Sequence, residues 1–219
     1  MEVDEIIEKT KEFVQTTLQN AESGHDWFHT LRVYKNALLI AQGENADKAV
    51  VALAALLHDI ADYKFNDGDE TKALTISHDF LKSMGVDNST LEEVLFVIKN
   101  VSFSSSLEKN IGFKPSVELQ IVQDADRLDA LGAIGIARCF NYGGYKNRPI
   151  YNPEILPNLQ MNKETYKNSD APSINHFYEK LLLLKDKMHT KTARRIAEKR
   201  HAFLETFLKQ FYLEWEGKG

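Results

Sequence analysis

Residue types able to bind a metal ion and work on water fall in three stretches of this chain. The first, "GHDWFHTLRV" (24–33), sets His25 and His29 four positions apart. Four residues is about one helical turn, so the two imidazoles share a helix face. That pair alone is a weak signal, because helical histidines are more often satisfied by hydrogen bonds than by metals. The second stretch, "LLHDIADYKF" (56–65), puts His58 beside Asp59 at the end of the most apolar segment, "AVVALAALL" (49–57). Burying an unpaired carboxylate is costly, so Asp59 needs a divalent cation, an arginine, or exposure at the helix terminus. The third is "VELQIVQDADRLDALGAIGIA" (117–137), where Ile121, Asp124, Leu128 and Leu131 follow three- and four-residue steps. Those steps put Asp124 on an apolar face, where a solvated carboxylate is out of place. Arg127, three residues on, is one available partner. A metal ion is another, and it explains why three helices all carry acid or imidazole into apolar surroundings. Such an ion can polarise an oxygen and supply hydroxide near neutral pH.

The elements that must position these groups are helices. Helical periodicity dominates and sustained period-two alternation is scarce, so the expected class is all-α. Ile6, Phe13 and Leu18 define a first amphipathic helix, followed by a break at residues 20–24. A second helix is expected from about His25 to Gln42, stopped by Gly43. The third, near Ala46–Ala61, is apolar on every side through its middle and should be central in the core. Further helices fit 70–84, 89–99, 117–140, 173–187 and 190–214. Between them, residues 141–170 hold three of the five prolines and an adjacent glycine pair. A loop of that length is usually functional or disordered. Its Tyr142, Tyr145, Lys146, Arg148 and Tyr151 suit base stacking and phosphate contact, which favours an active-site cover over a passive linker.

Composition narrows the partners. The chain has 219 residues, 43% of them hydrophobic, enough for one substantial core. We expect a single domain over 1–219, with a core at about 20–140 and C-terminal helices at 171–219 packing on it. A net charge of −5 argues against general nucleic-acid binding but leaves room for a local basic pocket. "KTARRIAEKRHAF" (191–203) reads as a solvated helix face. The one cysteine, Cys139, excludes an intrachain disulfide framework and reads as a small core residue. The acidic start lacks the features of a secretory signal, and the longest apolar run is far short of a membrane span of roughly 20 residues, so a cytoplasmic protein without membrane partners is expected.

The order His29, then His58-Asp59, then Asp124 resembles the signature of the HD-domain metal-dependent phosphohydrolase superfamily. "HTLRVYKNA", "AALLHDIAD" and "DADRLDALG" are similar to its first-histidine, doublet and last-aspartate helices. The match covers roughly residues 20–140, and a broader similarity extends to a subgroup of small, stand-alone bacterial HD hydrolases. The resemblance implies an HD-type helical bundle with an extended loop and C-terminal helices. It makes His29, rather than His25, the first metal ligand, with His58, Asp59 and Asp124 completing the set. Two neutral imidazoles and two carboxylates leave a divalent ion formally uncharged. Mixed nitrogen and oxygen ligation suits Mn2+, with Mg2+, Co2+, Ni2+ and Fe2+ as alternatives.

Asp62, one turn after Asp59, is the general acid/base expected from the similarity to nucleotidase-type HD proteins; a helix-capping carboxylate is the competing role. His25 is assigned to the substrate side, and Lys64, Arg127, Lys146 and Arg148 to phosphate neutralisation. The "HDxxED" pair of alarmone hydrolases and the Gly-Tyr-Pro signature of cyclic-dinucleotide phosphodiesterases are both missing. Only His78 lies between the doublet and the last aspartate, and Asn100 stands where an extra histidine would serve a second metal, so one ion is favoured. The expected activity is hydrolysis of a nucleoside triphosphate to monophosphate and pyrophosphate. Nucleoside monophosphate dephosphorylation is the alternative within that class, and a non-catalytic nucleotide-binding helical module the alternative outside it. A homo-oligomer is compatible with all three.

Overall fold

The computed structural model describes residues 2–19, 21, 26–60, 71–101, 115–160 and 170–219. These residues are helical with no strand among them, as expected of an all-α chain. The chain divides into two compact units, 1–126 and 127–219.

In the first unit, α3 (Lys48–Leu57) is the central element, packed against α1 (Val3–Thr17), α2 (Trp27–Ala41) and α5 (Asn88–Val101). Every residue from Val50 to Leu57 is buried, because alanine and leucine present an apolar surface in all directions. Burying each leucine side chain contributes about 1.5–3 kcal/mol. Asp47 starts the helix by accepting hydrogen bonds from the amides of Ala49 (2.8 Å) and Val50 (3.2 Å), satisfying donors that a helix terminus leaves unpaired. The helix ends at Leu57, and His58–Ile60 form a turn.

Along α2, His29, Val33, Asn36, Ala37, Ile40 and Ala41 make the buried stripe. His29 therefore belongs to the inward face by periodicity, at the end of the helix where the stripe meets solvent. α4 (Lys72–Ser83) packs on α5. α6 (Val117–Asp129) is tied to its neighbours by two side-chain amides. Asn36 Nδ2 donates to Ala125 O at 3.4 Å, and Gln123 Nε2 donates to Asn100 O at 3.0 Å.

The second unit contains α7 (Gly132–Tyr145), α8 (Ser173–Glu179), 3-10 turns at Leu181–Leu183 and Lys185–Lys187, and α9 (Lys191–Trp215). The single helix expected over 117–140 is interrupted: Leu131 is extended, and Gly132 takes φ +71, in the left-handed region where glycine carries no Cβ penalty. Arg200 Nη1 donates to Leu128 O beside this break, and a buried Asp129 pairs with Arg138. α7 then runs to Tyr145, so residues 141–145, expected in the long loop, are helical. Its Gly143 is required by contact, since a Cβ there would collide with Ser173 Oγ at the start of α8.

The helix expected over 173–187 also stops early. Leu181, Leu184 and Met188 are its buried positions, and the first two lie three apart, a spacing a 3-10 turn serves. Half-buried Phe140 and Phe207 pack on the wholly buried Phe177, with Phe177 and Phe207 stacked at 5.6 Å. Cys139 donates to Ser173 O at 3.4 Å, and burial pushes its thiol up to about 12, against the opposing pull of Arg148 and Lys180. It stays protonated and unreactive near neutral pH.

Candidate metal centre

His29 reaches the centre from the first turn of α2. Asp26 caps that helix by accepting from His29 N at 2.8 Å, which fixes the backbone carrying the imidazole. The ring itself is buried, at 1% exposure. His58 reaches the centre from the end of α3, where its helical backbone (φ −58, ψ −32) continues the helix direction.

The tautomer of a neutral His58 ring follows from its contacts. Nδ1 lies 2.9 Å from Ala55 O, and a carbonyl can only accept, so Nδ1 carries the hydrogen. In the neutral imidazole, the form that can ligate a metal, Nε2 is then the bare lone pair. It is buried and makes no hydrogen bond. Buried polar atoms are ordinarily satisfied, and a histidine whose other nitrogen is anchored to a backbone carbonyl is in the form that ligates metals.

The remaining donors gather around that lone pair. Asp59 Oδ2 stands 3.4 Å from His58 Nε2 and 3.4 Å from His29 Nε2. The two rings lie with centroids 5.5 Å apart, tilted by 63°. Asp126 Oδ1, from α6, is 3.5 Å from His29 Nε2. One donor atom from each of His29, His58 and Asp126 falls within 4.8 Å of the others. Donors sharing one ion at about 2.0–2.2 Å lie about 3–4.4 Å apart, so small side-chain rotations bring the set to ligating distance. Two imidazoles with carboxylate oxygens are a borderline-to-hard donor set that fits a divalent first-row ion. Asp59 is 18% exposed and Asp126 44%, so the centre opens to solvent on its carboxylate side.

Three of the four expected ligands therefore converge: His29, His58 and Asp59. Asp124 is wholly buried on α6. The carboxylate that α6 brings to His29 is Asp126, which the sequence reading did not single out. Its signal was "DADRLD" itself, where a second acid stands two residues, about 200° of helix, from the apolar face that drew attention to Asp124. His25, Asp62 and Lys64 lie outside the described residues.

The other expected phosphate contacts belong to the second unit. Arg127 Nη1 donates to Lys187 O at 2.9 Å. Lys146 caps the end of α7, its ammonium 5.0 Å from the Tyr145 ring and 5.8 Å from that of Tyr142, and the Arg148 guanidinium carbon is 5.4 Å from Tyr142. Tyr151 is not exposed for base stacking: it packs edge-on against Trp215 (4.9 Å), Tyr212 (5.5 Å) and Phe211 (5.8 Å). Tyr142 and Tyr145 are exposed. Asn100, half-buried, donates to Phe96 O at 2.8 Å within its own helix. His78 is exposed and bonded to neighbouring Asp79. Among the described residues no helix is long and apolar enough to cross a membrane.

Comparison with known proteins agrees with this geometry. A family model described as the HD domain matches residues 27–131, the stretch from the first residue of α2 to just past α6. The uncharacterized protein YpgQ of Bacillus subtilis is 39% identical over 206 residues, covering 93% of this chain and 90% of that protein. Among solved structures, an HD-superfamily hydrolase from Bacillus thuringiensis superimposes with a TM-score of 0.80 at 41% identity, over 99% of this chain and 100% of that one. The crystal structure of YpgQ in complex with ADP superimposes with a TM-score of 0.77 at 33% identity, over 98% of this chain and 97% of that one. With an identity of 39% sustained along nearly the whole of a relative, and with His29 and the His58-Asp59 doublet gathered at one centre, the chain belongs to the HD-domain phosphohydrolase superfamily.

Proposed function

We propose that this protein is a divalent-metal-dependent hydrolase of small nucleotides that cleaves a nucleoside triphosphate to monophosphate and pyrophosphate. The observation that carries the reading is the bare, buried Nε2 of His58 facing Asp59 and His29. The ADP held by YpgQ supports a ligand with a polyphosphate chain over a monophosphate. A divalent ion here, Mn2+ by donor type, would polarise a phosphoryl oxygen and supply hydroxide near neutral pH. His29, His58 and Asp59 would hold it, joined by a carboxylate of α6: Asp126 by its position beside His29, with Asp124 the buried alternative.

The protein's own contribution is orientation and proton handling. The Ala55 carbonyl keeps the His58 proton on Nδ1, and the Asp26 cap holds His29 in register. Asp62, placed by sequence one turn beyond Asp59, would take the proton from the attacking water and return one to the leaving group. The test is hydrolysis of a nucleotide panel with each divalent metal added in turn, products resolved as phosphate or pyrophosphate. Pyrophosphate from triphosphates supports the reading, phosphate from monophosphates the nucleotidase alternative. Binding without turnover in every metal would mark a non-catalytic module.

A further inference from the structure

Within the first unit, α6 is held beside its acid pair by two buried amide side chains. Past the first turn of α2, every buried residue is apolar except Asn36. Asn36 lies about two turns beyond His29 on the same inward stripe. Its Nδ2 donates to the carbonyl of Ala125, the residue between Asp124 and Asp126, at 3.4 Å. Gln123, 2% exposed, stands directly before Asp124, and its Nε2 donates to Asn100 O at 3.0 Å. Asn100 is in the last turn of α5, where helix carbonyls run out of intrahelical donors. One fastening thus runs from α2 into α6 and the other from α6 into α5. The fastened residues, Gln123 and Ala125, flank Asp124 and lie within one turn of Asp126.

Apolar packing alone would not place a carboxylate. Leu119, Ile121, Val122, Ala125 and Leu128 bury the inner face of α6, but that attraction has no direction. A slip of one residue turns a helix by about 100° and shifts it by about 1.5 Å, enough to carry Asp126 away from His29. A metal-binding constellation tolerates about 0.5 Å. Hydrogen bonds between defined atoms supply the missing constraint, since each is kept at only one rotation and height of α6. They also account for the residue types. An amide in a buried position costs stability unless it is bonded, so packing by itself gives no reason for either residue. Buried polar side chains that fix the register of paired helices at a cost in stability do the same work elsewhere.

We propose that Asn36 and Gln123 are positioning residues of the metal centre, fixing the rotation and height of α6 so that its carboxylate stands beside His29. Neither is a ligand; each acts through the carboxylate that α6 presents. The inference rests on the metal-dependent reading above. It holds whether Asp126 or Asp124 is the ligand, because the same fastened segment carries both.

The test reads metal affinity rather than turnover. Mn2+ is titrated into the metal-free, full-length protein by calorimetry. Asn36→Leu and Gln123→Met keep the bulk and lose the donor, and each should weaken Mn2+ binding roughly tenfold, the lower end of the range for losing a group that orients a ligand. A merely structural role is separated in two ways. Leu81→Ala, at a wholly buried position of α4, should lower stability in urea with Mn2+ affinity unchanged. In double-mutant cycles with the α6 ligand removed, the loss should shrink to about twofold or less, the scatter of independent sites, because no carboxylate is left to place. That ligand is whichever of Asp126→Asn and Asp124→Asn alone lowers affinity more. Urea unfolding identifies a variant that does not fold, and the other then carries the comparison. Should neither fold, the amides hold up the whole unit and the positioning role is overturned. No Mn2+ binding by the wild type would overturn the metal centre and this proposal with it. Binding by the wild type with no loss in a variant, the same loss once the α6 ligand is gone, or an equal loss in Leu81→Ala would overturn the positioning role and leave the metal centre standing.

Discussion

His176 offers a pH dependence whose sign and size follow from the structure. Its folded pKa is about 3 against an ordinary value of 6.5, because burial and the Lys180 and Arg148 charges disfavour the imidazolium. Between pH 6.5 and 3 the unfolded chain binds a proton there that the folded chain does not. Stability therefore rises with pH through this window: the contribution is fully present above about 6.5 and is lost as the pH falls toward 3. At about 1.4 kcal/mol per pH unit, going from pH 7 to pH 5 removes about 2 kcal/mol. The assay is urea unfolding of wild type and His176→Gln at both pH values, followed by far-UV circular dichroism. The wild type should lose about 2 kcal/mol more than the variant on acidification. Proton NMR of the histidine C2–H resonances checks the premise: the His176 signal, assigned by its absence from the variant, should keep its neutral position down to about pH 4. A His176 signal titrating near 6.5, or equal acid losses in the two proteins, would show that the ring is neither desolvated nor pressed by those cations.

At the metal centre, His58→Ala and Asp59→Asn should each abolish retention of one equivalent of Mn2+ after desalting, read by elemental analysis, because each removes a donor from the set around His29. Asp126→Asn should lower metal affinity more than Asp124→Asn does, measured by Mn2+ titration; the reverse order would make the buried carboxylate the ligand. Asp62→Asn should keep the metal while turnover falls by roughly 10² or more, and near-normal turnover would leave Asp62 a structural residue. Leu56→Ala should cost about 2–5 kcal/mol in urea unfolding, since this side chain is wholly buried at the centre of the first unit.

Much of the helical framework was legible because its signals are local. An apolar surface on every side could only place α3 in a core, and the doublet at its end inherited a defined position from that burial. The breaks were not legible. Between 117 and 140 the apolar spacing continues through residues 130–132, and the break lies in the backbone, extended at Leu131 and left-handed at Gly132. After Glu179, buried leucines three apart suit a helix and a 3-10 turn equally in sequence; packing within the second unit chose the turn.

The two aspartates of "DADRLD" stand differently to the apolar stripe of their helix. An apolar stripe identifies the residues facing a core, and Asp124 lies on that stripe and is wholly buried. A ligand in a centre that must admit water and substrate has a different requirement, to face the ion from one side and solvent from the other. Asp126, two positions on and 44% exposed, meets it, with its oxygen 3.5 Å from His29. His29 and Asp59 obey the same rule from other helices: one ends a buried stripe, the other follows the last turn of a buried helix. The more useful sequence signal for an open metal site is therefore the boundary of an apolar face rather than its middle. His29 and the His58-Asp59 doublet lie at such boundaries, and Asp126 meets them from the side of α6 turned away from its apolar stripe.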